Sequence, residues 1–285
     1  MSTALPELPI RRLTRDDLTL CADLSEERGW ARDEGGWGLL LTAGTGFGID
    51  DPTGKGLAAC YVVTSYGPRL AAIGKLLVAT AYERRGLGGR LMRHALEAAG
   101  QTQLLLYATA YGQPLYQKLG FIEVGRVERF HGQLRDTAVD APAGLVTRRA
   151  VAEDVPEVVR LDAECFGVDR TSMITRLPAA IDQLWVAEED GSLVGYAASW
   201  PGASSTLAPV IARDSRTARA LIASLARSTA GPLRMHIDVR HKELLDWARE
   251  SGLESAEGTA IMTHGGGDLP GDWRRCFSPL SLATG

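Results

Sequence analysis

The chain has 285 residues, 45% hydrophobic and 23% charged, with a formal net charge of -4; this is the profile of a globular protein of about two domains, with no electrostatic case for nucleic acid or an anionic membrane as partner. No apolar run approaches the roughly 18 residues of a membrane span, and no basic-then-apolar leader is present. The four cysteines and five histidines stand in no metal-ligand spacing, so the expectation is reduced thiols, no metal and a cytoplasmic protein.

In chain order, residues 10–14 read as a strand, and Thr14-Arg15-Asp16-Asp17 as a helix start followed by the apolar stripe Leu18, Cys21, Ala22 and Leu24. A second helix after Gly29-Trp30 carries Trp37, Leu40 and Leu41. Strands are predicted at 47–49, 57–64 and 70–79, with Gly54 and Gly67-Pro68 marking the turns between them. The run 73–79 breaks into Tyr82-Glu83-Arg84-Arg85-Gly86-Leu87-Gly88-Gly89-Arg90, and a helix with Leu91 and Leu96 on one face then extends to about Ala99. A strand over 103–109 precedes Gly112-Gln113-Pro114-Leu115-Tyr116-Gln117-Lys118-Leu119-Gly120-Phe121, and residues 133–144 read as a linker.

A strand that enters a helix through glycines leaves backbone N–H groups pointing outward, which suits a phosphate or pyrophosphate. Such a turn also serves simply to pack a helix close to a sheet. A P-loop would need Lys-Ser or Lys-Thr after the last glycine, whereas Gly89 is followed by Arg90-Leu91. A dinucleotide fingerprint would follow the first strand of a βαβ unit. The loop instead resembles the acetyl-CoA loop of the GNAT superfamily of N-acetyltransferases, Arg/Gln-x-x-Gly-x-Gly/Ala, with Glu83 at the Arg/Gln position. The segment 112–121 resembles that family's second signature, a short helix bearing a tyrosine and ending in Gly-Phe.

The resemblance covers residues 9–132 and implies a β-α-α-β-β-β-α-β-α-β fold that binds acetyl-CoA as co-substrate. It implies pantetheine contacts from Leu77, Val78 and Ala79. It places the pyrophosphate on Arg84, Arg85, Gly86, Leu87, Gly88, Gly89 and Arg90, and gives the thiolate its proton from Tyr116. Packing on the sheet is the alternative for Tyr116, whose place in the Leu-Tyr-x-x-x-Gly-Phe context favours the catalytic role, and Phe121 reads as structural. Arg84 and Arg85 are expected to offset the Glu83 charge. On the acceptor side, Glu27, Trp30 and Trp37 are candidate substrate contacts, and Glu26, Glu27 and Asp33 are the carboxylates at which a general-base relay could end, each read first as a solvated helix charge. His94 reads as a surface residue.

The second half repeats the first. Arg149 to Val155 matches Arg12 to Leu18 at an offset of 137 residues, and both copies close with His-Gly, at His131-Gly132 and His264-Gly265. Its counterpart of the loop, 212–219, has no glycine, and Ala248 stands where Tyr116 would. The expected fold class is therefore α/β (α+β): tandem GNAT folds, each a mixed, mostly antiparallel twisted sheet flanked by helices. Residues 1–132 are the catalytic domain, 133–144 the linker, and 145–285 a degenerate domain serving as a lid, on the substrate side or in dimerisation. The tail around Phe277, Leu280 and Leu282 suits either a contact with the first half or a homodimer. Two functions remain: acetyl transfer to the primary amine of a small molecule or amino acid, or a CoA- or ligand-responsive binding protein with weak or no catalysis.

Overall fold

A computed structural model describes residues 8–135 and 140–285. The first half runs β1 (Arg11–Leu13), α1 (Leu18–Glu27), α2 (Glu34–Ala43), β2 (Thr45–Asp50), β3 (Leu57–Ser65), β4 (Leu70–Val78), α3 (Leu87–Ala99), β5 (Gln103–Ala108), α4 (Gln113–Lys118) and β6 (Ile122–Gly132). This is the expected order. Local chemistry starts the helices: the Thr14 hydroxyl accepts from the Asp16 amide ahead of α1, and Asp33 accepts from the Gly36 amide to cap α2. Of the predicted linker at 133–144, residues 136–139 lie outside the described residues.

The second half runs β7 (Val146–Arg149), α5 (Val155–Phe166), the one-turn α6 (Thr171–Ile174), β8 (Gln183–Glu189), β9 (Ser192–Trp200), β10 (Ser205–Ala212), α7 (Ser215–Ser228), β11 (Leu233–Asp238), α8 (Lys242–Glu250), β12 (Glu254–His264) and a short β13 (Cys276–Ser278). The repeat is visible atom by atom. Arg11 forks onto Asp17 at 3.1 and 2.7 Å, and Arg148 forks onto Asp154 at 2.7 and 2.9 Å. In both copies the carboxylate also accepts the amide three residues before it, from Thr14 and Val151, at 2.8 Å. Hydrogen bonds from the arginine hold each carboxyl below its ordinary range.

The two mixed, mostly antiparallel sheets are fused into one. Its strand order is β1-β2-β3-β4-β5-β12-β6-β11-β10-β9-β8-β7, with β13 paired to β10. Each half has lent its last long strand to the other: β12 pairs with β5, and β6 pairs with β11. The registers are equivalent, Leu104 opposite His264 and Arg234 opposite His131. At the centre β6 and β12 run antiparallel to each other. Among the described strands, only β4–β5 and β10–β11 are parallel.

One core packs Trp37, Tyr61, Leu91 and Met92 of the first half. A second spans the seam, joining Tyr66, Leu70 and Leu105 to Leu161, Phe166, Met173 and Trp273. A third gathers Phe130 with Leu221, Ile222 and Trp247. The tail reaches back across the seam: the Tyr66 hydroxyl donates to the Thr284 carbonyl at 2.6 Å, and the Gly285 carbonyl accepts from Arg170 at 2.7 Å. Phe277 and Leu280 are buried inside the chain, so their apolar surface is already used. The four cysteines are free and buried, and no described helix is long and apolar enough to cross a membrane. His94 is not a surface residue: its Nδ1 lies 2.8 Å from the Tyr61 hydroxyl, with Phe47 edge-on.

Candidate active site

Strands β4 and β5 pair only from Leu70–Gln103 to Ile73–Leu106. Beyond Ile73, β4 keeps its bonds to β3 on one side, with Gly74 opposite Val62 and Leu77 opposite Cys60. On the other side no described strand pairs with residues 74–78. A bulge lies at this divergence, and Lys75 within it takes a left-handed φ of 54°. Gly74 marks a close approach: a Cβ there would stand 2.4 Å from the Ala283 Cα of the tail. Leu77 and Val78, with Ala79 just beyond, follow the bulge along the open edge.

Eight residues, 79–86, connect β4 to α3. Arg84 (φ 57°) and Gly86 (φ 84°) turn the chain back on itself, which is why a glycine precedes the helix. Gly86 supplies no capping side chain, and the first α3 amide with an intrahelical partner is that of Arg90, bonded to the Gly86 carbonyl at 3.0 Å. The amides of Arg84 to Gly89 meet no backbone or side-chain acceptor among the described residues. No protein atom demands glycine at 88 or 89, where an added Cβ would find only ordinary contacts at 3.5 Å or more. An added Cβ at either would face Leu115 of α4, and at 88 also Val78 at the end of β4.

Glu83 is not offset by Arg84 or Arg85, which are exposed. It is paired instead with Arg28 from the end of α1, and the Tyr111 hydroxyl donates to it at 3.4 Å. Arg85 stacks over Tyr82, whose hydroxyl donates to Asp51 at 2.8 Å. The loop is thus tied to α1 and to the β2–β3 turn.

Tyr116 lies on α4, which starts with proline in its first turn, and its ring meets Phe121 edge-on at 5.9 Å. The side chain is almost fully buried, and its hydroxyl has no hydrogen-bond partner among the described residues. Burial pushes the phenol up to about 12. The phenol is therefore neutral throughout the physiological range.

The acceptor-side candidates divide. Trp37 is wholly buried and donates to Ser25 Oγ at 2.9 Å, so its body is core. Glu27 accepts the Thr80 amide at 2.8 Å and joins α1 to the loop, while Glu26 faces Arg32. Trp30 is 41% exposed. Between the two tryptophans the sequence reading missed a residue: the Lys75 ammonium lies 5.5 Å from the Trp30 ring centre and 5.3 Å from that of Trp37. Its signal was available, as the one charged residue in the apolar run 70–79.

The second half lacks this machinery. Two residues, Arg213 and Asp214, join β10 to α7, and the Asp214 carboxylate itself accepts the Thr217 amide at 2.8 Å. Arg213 is paired with Glu189. Ala248, counterpart of Tyr116, is buried core. Strands β10 and β11 part after Leu207–Met235, as β4 and β5 do, but β13 pairs with β10 at Val210 and Ile211 in the space between.

Comparison with known proteins finds a match in each half. Two acetyltransferase (GNAT) domain profiles match, one over residues 45–123 and the other over 158–278. The uncharacterized N-acetyltransferase YitH of Bacillus subtilis is 30% identical over 228 residues, 79% of each chain. Among solved structures, an acetyltransferase candidate from Pyrococcus horikoshii superposes with a TM-score of 0.79 at 20% identity, covering 98% of this chain and 96% of that one. A GCN5-related N-acetyltransferase from Sphaerobacter thermophilus gives 0.64 at 17%, over 92% and 96%. A tandem GNAT protein from the clavulanic acid biosynthesis pathway gives 0.64 at 16%, over 92% and 100%.

Proposed function

We propose, from the premise that this chain belongs to the GNAT family of acetyltransferases and is an N-acetyltransferase of tandem-domain type, that its one working site lies in the first half. There it passes an acetyl group to the primary amine of a small molecule or amino acid. GNAT acetyltransferases use acetyl-CoA as co-substrate, which supplies an activated thioester. One observation carries the reading: the unpartnered amides of residues 84–89 lie directly beyond the unpaired edge of β4, a phosphate cradle at the end of a slot for an extended arm.

In this reading Leu77, Val78 and Ala79 hold the arm along the open edge. The amides from Arg84 to Gly89 hold the pyrophosphate, with the exposed Arg84 and Arg85 adding charge at the rim and Arg90 lying just inside α3. Tyr116 keeps its proton until a thiolate develops and then donates it. Its burial in an apolar setting serves this, because the neutral phenol is the form favoured there. The second half contributes β12 beside β5 and lays its tail against Gly74, closing the acceptor side.

Isothermal titration with acetyl-CoA, followed by free-thiol release across a panel of primary amines, tests the proposal. Binding with thiol release on at least one amine is expected. Tight binding with no turnover on any amine would overturn it in favour of a CoA-responsive binding protein.

A further inference from the structure

We propose that Lys75 seats a carboxylate of the acceptor, so that this enzyme selects small amines that carry one. The inference rests on the acetyltransferase reading above and names the class of molecule that reading leaves open.

The Lys75 side chain is only 12% exposed, and among the described residues its ammonium is paired only loosely, with the Asp33 carboxylate at 3.8 Å. Asp33, the one acid near it, stands 3.8 Å away, is half exposed, and has its other oxygen engaged by the Gly36 amide. Three donors on a cation with so little open surface are an expensive arrangement unless water or an anion accepts from them. The faces of Trp30 and Trp37 compensate part of the charge, but an aromatic face is not directional and satisfies no N–H. An anionic oxygen supplies what is missing. Apart from Asp33, the ionisable neighbours that act on this ammonium are the thiols Cys21 and Cys60, both buried beneath it.

The fold does not ask for this lysine. Leu77 lies opposite Cys60 in the first half as Ala212 lies opposite Gly195 in the second, and two residues earlier the second half has Val210, wholly buried. An apolar side chain thus serves the corresponding strand of the second half, where the backbone is paired and not left-handed. In the first half a charge has been placed where β4 bulges and parts from β5, beside the edge assigned to the arm. Trp30, exposed beside Lys75, offers an apolar surface to the carbon chain between a carboxylate on Lys75 and an amine directed to the thioester.

The phosphates of the co-substrate are a poor match for this position. Their cradle is the head of α3, ringed by Arg84 and Arg85, whereas Lys75 faces the α1–α2 side with Asp33, Trp30 and Trp37. A carboxylate on the acceptor is the remaining anion the reaction brings.

The test pairs amino acids with their own carboxamides, glycine, alanine, β-alanine, glutamate and lysine among them, in the thiol-release assay. The expected result is a kcat/KM at least tenfold higher for a carboxylate than for its amide twin. In Lys75→Met that ratio falls toward one through the acceptor KM, and Lys75→Arg restores part of it. A second measurement needs neither turnover nor a variant: titration of the coenzyme-A-saturated wild-type protein with N-acetyl amino acids and with N-acetyl amino amides, where only the acids should bind appreciably. Equal use of acids and amides, or equal binding of both products, would sink the inference while leaving acetyl transfer intact. Selective binding of acids without thiol release from any amine would support the seat and remove the acetyltransferase reading instead.

Discussion

Two gaps in one sheet tell most of the story. Between β4 and β5, and again between β10 and β11, parallel strands pair for a few residues and then part at a bulge. In the first half no described strand pairs with the far end of β4, which leads to an eight-residue loop, and the amides of Arg84 to Gly89 meet no acceptor among the described residues. In the second half β13 lies in the gap, and the loop has shrunk to Arg213 and Asp214. The Asp214 side chain then takes the helix-start amide that a ligand would need. A parted strand pair leaves backbone polar groups that must be satisfied, by a bound molecule or by the chain itself. The same fold thus leaves an unpaired strand edge in one copy and a closed structural element in the other.

The comparison breaks most severely if the copies are separated. Because β12 lies between β5 and β6, a fragment ending at Gly132 loses the strand that pairs with both. Such a fragment should show no cooperative thermal unfolding by circular dichroism, and co-expression with residues 140–285 should restore it. A soluble, cooperatively folded monomer of residues 1–132 would contradict the exchange of strands.

Next in size is the loop. Gly88→Asp places a carboxylate and bulk on the amide cradle without a clash against the protein at its Cβ. It should weaken acetyl-CoA binding about 100-fold by calorimetry. The matched change in the other copy, Arg213→Ala, should leave the affinity within about twofold. Equal losses from both changes would mean that the two halves share the binding site.

Tyr116→Phe should lower kcat by roughly 10- to 100-fold, with little change in the KM for acetyl-CoA. Because burial raises the phenol to about 12, the proton donor is lost only as pH approaches that value. The wild-type rate should therefore show no Tyr116-dependent decline between pH 7 and 10. A wild-type alkaline limb near pH 9 that disappears in the Phe variant would refute the assignment.

The smallest effect belongs to Glu83. Its pairing with Arg28 is partly exposed, at 23% and 30%, and such a pair contributes about 0.5 kcal/mol. Glu83→Gln should therefore lower stability by no more than that in urea titration and leave acetyl-CoA affinity within about twofold. A tenfold change in affinity would show that its charge, and not only its backbone, acts on the loop.

Much of this was legible in the residues. Alternating and 3.6-fold apolar patterns placed the first-half elements in order, because burial on one face of a strand or helix imposes that spacing. The loop glycines and the Tyr-to-Gly-Phe segment carried their chemistry locally, since what they do depends on backbone freedom and on neighbours a few positions away. The offset of 137 residues between the copies, and the missing glycines around Arg213, needed no coordinates either.

The tertiary structure decided what depends on residues far apart. Nothing in a strand's own pattern says which neighbour it will choose, so the exchange of β6 and β12 could not be read from periodicity; both placements bury the same faces. Trp37 and Trp30 looked alike in sequence, yet one is anchored in the core on Ser25 and the other opens to solvent. Arg28 came to Glu83 across 55 residues, and Lys75, one charge in an apolar run, became notable only when two tryptophans and Asp33 closed around it. Sequence sets the local backbone chemistry; which charges end up buried, and beside what, is a property of packing.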